Sequence, residues 1–103
     1  MKYVLGIEST AHTFGVAVVD ENGEILSNEK DSYTTESGGM IPIEVRKHHA
    51  EVGDEVYGNA IEKAGIDEKD IIAVALSNAP GLAPCLLEGM AFAKKVASRL
   101  EVP

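Results

Sequence analysis

The chain has 103 residues, 45% hydrophobic and 25% charged, which fits one small folded unit and argues against a disordered tail. Its formal net charge is −8, from 17 acidic and 9 basic side chains, so the surface repels phosphate backbones on average and carries no electrostatic footprint for nucleic acid. No apolar run approaches the ~20 residues a bilayer span needs, the N-terminus does not read as a signal peptide, and the single cysteine, Cys85, excludes an intrachain disulfide and points to a reducing, cytoplasmic compartment.

Tyr3 to Glu8 and the valine-rich Phe14 to Asp20 read as two strands joined by the polar loop Ser9 to Thr13. Asn22-Gly23 is a hairpin signal of the type I′ kind, which needs positive φ, and Ile25 to Ser32 follows as a more polar third strand near an edge. After a loop around Ser37-Gly38-Gly39, Pro42 suits a first helical position, the helical pattern runs from Ile43 to Ala64, and Gly65 supplies its stop. Ile71 to Ser77 is a nearly continuous apolar run of the kind found in parallel strands buried on both faces. A Gly/Pro loop from Asn78 to Ala83 then leads to a second helix, opened by Pro84 and ending near Leu100. The order β-β-β-α-β-α is how the ribonuclease-H-like half-domain of actin-like ATPases begins. On that reading the α/β fold stops at Pro103 before its next strand, and residues 1–103 form the N-terminal part of the first subdomain.

The polar groups that bear on chemistry lie in two loops. Gly6-Ile7-Glu8-Ser9-Thr10 ends the first strand, where hydroxyls and loop N–H groups suit phosphate oxygens and Glu8 suits the neighbourhood of a cation; a plain polar hairpin is the competing reading. Asn78 to Pro84 lies between a strand and a helix N-terminus, where open α/β sheets place ligands and helix ends favour anions; a rigid turn that aims the helix is the alternative. His48 and His49 diverge by about 100° on the first helix, so they do not form a metal helix. The pattern puts His48 on the polar side near Glu44 and His49 on the apolar face as a partly buried ring. His12 has no matching partner, and Cys85, one residue inside a helix, reads as a small buried side chain.

Four segments occur in a telling order: Leu5-Gly6-Ile7-Glu8-Ser9-Thr10-Ala11, Gly38-Gly39-Met40-Ile41-Pro42, His48-His49-Ala50-Glu51-Val52 and Ala79-Pro80-Gly81-Leu82-Ala83-Pro84-Cys85-Leu86. Together they resemble the opening of the threonylcarbamoyl-adenosine transferase family, in the wording of its archaeal and eukaryotic branch, the catalytic subunit of the KEOPS complex. The chain departs from that pattern at Ala79, where a glycine is usual, at Leu87-Glu88, where Arg-Val is usual, and at His12-Thr13, where bacterial relatives place two acids.

The resemblance implies an actin-like ATPase that transfers threonylcarbamoyl from its adenylate to the tRNA adenosine beside the anticodon, with ATP or that adenylate and one iron or zinc ion in the cleft. It implies that Glu8, Ser9, Thr10 and Gly81 face the nucleotide. The metal ligands belong to an Asn-His-x-x-x-His element beyond Pro103, so this stretch alone is expected to be inactive, without metal and without firm nucleotide binding. The alternatives are another actin-like ATPase, such as a small-molecule kinase, or a non-catalytic interaction module of the same fold.

The family's members pair through N-terminal helices with a small dimerising KEOPS subunit (Pcc-type), while kinase-type subunits and tRNA would engage the rest of the protein. No membrane is implied. On the first helix, Ala50, Gly53, Tyr57, Ile61 and Ala64 form a small-residue stripe beside one made of Val45, His49, Val52 and Val56. A glycine costs about 1 kcal/mol in a helix interior, so Gly53 marks close approach. The stripe is therefore assigned to the partner, with burial in the complete domain as the alternative.

Overall fold

The computed structural model describes all residues, 1–103. Three strands come first, β1 (Tyr3–Glu8), β2 (Thr13–Asp20) and β3 (Ile25–Ser32), followed by helix α1 (Pro42–Ala64), strand β4 (Ile71–Leu76) and helix α2 (Ala83–Leu100). They form one sheet in the order β3-β2-β1-β4, antiparallel except for β4, which runs parallel to β1. The expected β-β-β-α-β-α order is present, and β3 lies at an edge as its polarity implied.

Period-two alternation turns Leu5 and Ile7 of β1 and Phe14, Val16 and Val18 of β2 to the face covered by both helices, giving a two-layer unit with one core. Phe14 is its centre, with its ring 5.3 Å from Phe92 edge-on and 5.6 Å from the His49 ring. The Ser27 hydroxyl, buried on β3, donates to the Ala60 carbonyl at 2.7 Å and ties the sheet edge to α1. β4 differs from its expected burial on both faces. It is the other edge strand: Ala75 faces the side of the sheet that carries no helix in this chain, and Ile72, the extra residue where the pairing with β1 shifts register, is 46% exposed.

Local signals account for the element ends. Pro42 stands in the first turn of α1, and Gly65 ends that helix at φ 67°, donating its N–H to the Ile61 and Glu62 carbonyls. The β2–β3 hairpin is not the type I′ turn that Asn22-Gly23 suggested, because only Gly23 has positive φ. Asp20 is the reason: its Oδ1 accepts from the N–H groups of Asn22 at 2.8 Å and Glu24 at 2.9 Å, and this organises a longer loop. A short 3-10 turn at Glu68–Asp70, absent from the sequence reading, is capped in the same way by Asp67, which accepts from the Lys69 N–H. No helix is long and apolar enough to cross a membrane.

Gly53 and Tyr57, assigned from sequence to a partner surface, lie inside the chain. A Cβ on Gly53 would sit 3.0 Å from the Phe92 ring, so the close approach that the glycine permits is between α1 and α2. Tyr57 is buried beside the same ring, and its hydroxyl accepts from the Arg99 guanidinium at 3.1 Å. Arg99 also grips Glu68 at 2.7 Å and holds that carboxyl below its ordinary range. Ile61 and Ala64 are half-buried against the core, and of the stripe only Ala50 is exposed.

Candidate functional site

The loops that follow β1 and β4 meet at one end of the sheet, outside the carboxyl ends of its two parallel strands. That is the position at which α/β sheets bind ligands. Four contacts hold the β1–β2 loop, one of them from the Tyr33 N–H, which donates to the His12 carbonyl at 2.7 Å. The Ser9 hydroxyl donates to the Cys85 carbonyl at 2.9 Å, the Leu82 N–H donates to the Thr10 carbonyl at 2.8 Å, and His49 Nε2 donates to the Ala11 carbonyl at 2.8 Å. Gly81 is obligatory here, since a Cβ would lie 2.4 Å from the Thr10 carbonyl oxygen. Its peptide neighbour, Ala79–Pro80, is cis.

The sequence-assigned residues are thus brought together, in roles the sequence did not show. Ser9 is 1% exposed, with its hydroxyl committed to the first turn of α2. Glu8 Oε1 accepts from both the backbone N–H and the hydroxyl of Thr10. Side-chain donors are consumed in shaping the loop. The backbone N–H groups of Ala11, His12 and Gly81, by contrast, have no acceptor in the chain, and they sit in the two loops that clasp each other. Amides of this kind are ordinary phosphate ligands.

Beside this rim, the uncovered sheet face forms an open recess of about 470 Å³. Its floor is small, with Gly6, Gly15 and Ala75, and its polar wall includes Glu8, Lys30 and Ser77. Lys30 was missed from sequence. The available signal was the alternation along β3, which places it on the face opposite the buried Ser27.

The histidines are closer to one another than helical divergence implied, with ring centroids 5.1 Å apart. Their Nδ1 atoms are 2.9 Å apart, and the outward partner of His48 is Asp31 of β3, at 2.7 Å from Nε2, in place of Glu44. His49 is 1% exposed, and burial pushes its pKa below the ordinary 6.5. Burial pushes the Cys85 thiol up, which keeps it unreactive.

A histidine with a depressed native pKa binds its proton more readily unfolded, so its stabilising contribution is complete above about 6.5 and is lost as the pH falls below that value. Glu68, also depressed, adds a loss of the same sign at lower pH, below about 4.5. Urea midpoints should therefore fall as the pH is lowered below about 6.5, and His49→Gln should flatten that acid limb. A midpoint that rises on acidification would contradict the assignment.

No group of three or more His, Cys, Asp or Glu side chains converges on one point. The residues present do not fit a transition metal by themselves.

Comparison with known proteins follows the same lines. The family profile described as TsaD, tRNA N6-adenosine threonylcarbamoyltransferase, matches residues 24–103. Similar curated proteins carry that name. One, from Ignicoccus hospitalis, is 48% identical over 98% of this chain and 31% of its own length, and one from Thermofilum pendens is 43% identical over 97% and 30%. Among solved structures, YeaZ from Pseudomonas aeruginosa superposes on all of this chain and 41% of its own, with a TM-score of 0.77 at 16% identity, which shows the shared actin-like α/β fold. The chain spans about a third of the length of the curated relatives it matches. With its fold, its loops and most of its length accounted for in this way, the chain belongs to the tRNA N6-adenosine threonylcarbamoyltransferase family.

Proposed function

We propose that these 103 residues form one wall of the nucleotide cleft of a tRNA threonylcarbamoyl-adenosine transferase, in which threonylcarbamoyl passes from its adenylate to a tRNA adenosine. The observation that carries the reading is the clasp between the two loops, with Gly81 packed on the Thr10 carbonyl and the N–H groups of Ala11, His12 and Gly81 left free. The chain's part in the reaction is to bind and orient phosphates with backbone amides. Glu8 holds Thr10 and so sets the curvature of the loop. Acyl transfer, the metal and tRNA contacts fall to the rest of the protein, since an acidic surface does not attract RNA.

Membership of a KEOPS-type assembly and a cytoplasmic location belong to the same proposal. With Gly53 and Tyr57 turned inward, partner docking would rest on the exposed Ala50 and the shallow groove between the helices, where Asp54, Glu88 and Lys95 surround the Phe92 ring.

The test is Gly81→Ala in the full-length protein. The clash with a backbone carbonyl should part the loops and lower threonylcarbamoyl transfer to tRNA about tenfold, equivalent to about 1.4 kcal/mol, mostly through weaker nucleotide binding. Unchanged turnover and nucleotide affinity in the folded variant would refute the cleft-wall reading.

A further inference from the structure

We infer that His48 and His49 share a single proton, and that this proton decides whether the β1–β2 loop is held in the position described above. The assignment follows from what each atom can do. The Ala11 carbonyl only accepts, so His49 Nε2 carries a hydrogen across its 2.8 Å contact. The Asp31 carboxylate accepts from His48 Nε2 at 2.7 Å, so that nitrogen carries one too. The remaining two nitrogens, both Nδ1, then face each other at 2.9 Å. With no further proton they present two lone pairs, and with two further protons they present two hydrogens; both arrangements repel. One proton makes a hydrogen bond, and the pair is then a monocation.

The charge resides on His48. That ring touches Asp31, whereas His49 is fully buried beside Phe14 and is favoured neutral by desolvation. The surrounding groups agree in sign. Glu8 on β1 and Glu88 on α2 both favour positive charge near His49. Arg46 on α1 is engaged by Glu88 at 3.3 Å, and Tyr33, just after β3, meets the His48 ring edge-on at 5.9 Å. His12, exposed in the loop itself, is the remaining titratable neighbour.

Of the four contacts that hold the loop, those from Ser9, Leu82 and Tyr33 do not titrate, and the one from His49 does. Adding a second proton to the pair or removing the shared one breaks the Nδ1 contact and frees the His49 ring to turn. The grip on Ala11 is therefore greatest at intermediate pH and weakens on both sides. The inference rests on reading this loop as the phosphate wall, to which it adds control by pH and names His48 as a positioning residue.

The experiment needs no nucleotide, so its failure is distinguishable from failure of the cleft-wall reading. The 103-residue chain is labelled with ¹⁵N in a His12→Asn background and followed by NMR through the range of imidazole titration. The expected result is an Nδ1–Nδ1 coupling through the hydrogen bond at intermediate pH, lost on both sides, with the Ala11 amide shift following it. In His48→Gln, a side-chain amide donates without titrating, so the alkaline change at Ala11 should disappear while the acid change remains. Absence of the coupling at every pH, or an Ala11 amide that titrates alike with Gln at position 48, would overturn the inference.

Discussion

Gly89→Ala should destabilise the chain by about 3 kcal/mol and push Ser9 off its anchor on α2. A Cβ at position 89 would lie 1.9 Å from the Ser9 hydroxyl oxygen and 2.9 Å from its Cβ, too close for any rotamer of so short a side chain to relieve. Overpacking of this kind costs about 1–3 kcal/mol. Tearing the buried Ser9 hydroxyl from the Cys85 carbonyl costs about 1–3 kcal/mol more. The better helix propensity of alanine returns about 1 kcal/mol. Urea denaturation measures the sum, and a double variant with Ser9→Gly should recover most of it, because that change removes the atoms in conflict. A Gly89→Ala chain as stable as its parent would mean that Ser9 is not packed against α2 as described.

Gly53→Leu should cost the isolated chain about 2–3 kcal/mol, at the upper end of overpacking in a helix–helix contact. The first added carbon already meets Phe92 at 3.0 and 3.1 Å, and that ring is fixed edge-on against Phe14. Further carbons would have to part α1 from α2. Gly53→Ala is the informative control, since the ring need give only a few tenths of an ångström and alanine regains about 1 kcal/mol in the helix; it should be close to neutral. Thermal and urea unfolding of both variants, with no other protein present, distinguishes a core position from a docking surface. Were Gly53 part of an exposed contact, Leu would leave the stability of the chain untouched.

The elements were legible because their signals are local. Alternation in β1 and β2, Pro42 at the start of α1 and Gly65 at its end each act within a few residues, and the structure agrees with all of them. The loops at the end of the sheet were legible as a place, since a strand-to-helix turn marks the carboxyl edge whatever its neighbours. What sequence could not show was which long-range partner each polar or small residue would meet. Ser9 and Thr10 look like free donors until α2 and Glu8 are seen to take their hydrogens. Gly53 signals a close approach without naming the approaching group, and Phe92, 39 positions away, is far outside any helical window. His48 lies 17 residues from Asp31, and only the packing of α1 across the edge strand makes them neighbours.

The parallel pairing of β1 with β4 has a bearing on the order of events in folding. β1 finds β2 through a loop of a few residues, but Leu5 meets Val74 only after the whole of β2, β3 and α1 has been gathered between them. Closing so long a loop costs chain entropy that grows with the logarithm of its length, and such pairings form late. The meander should therefore nucleate first and β4 with α2 should dock last, with β2 amides protected from exchange before those of β4 in a refolding pulse. One lip of the cleft wall, the loop between β4 and α2, belongs to that final step, so a folding chain halted before it has a sheet and a helix but only half a seat for a phosphate.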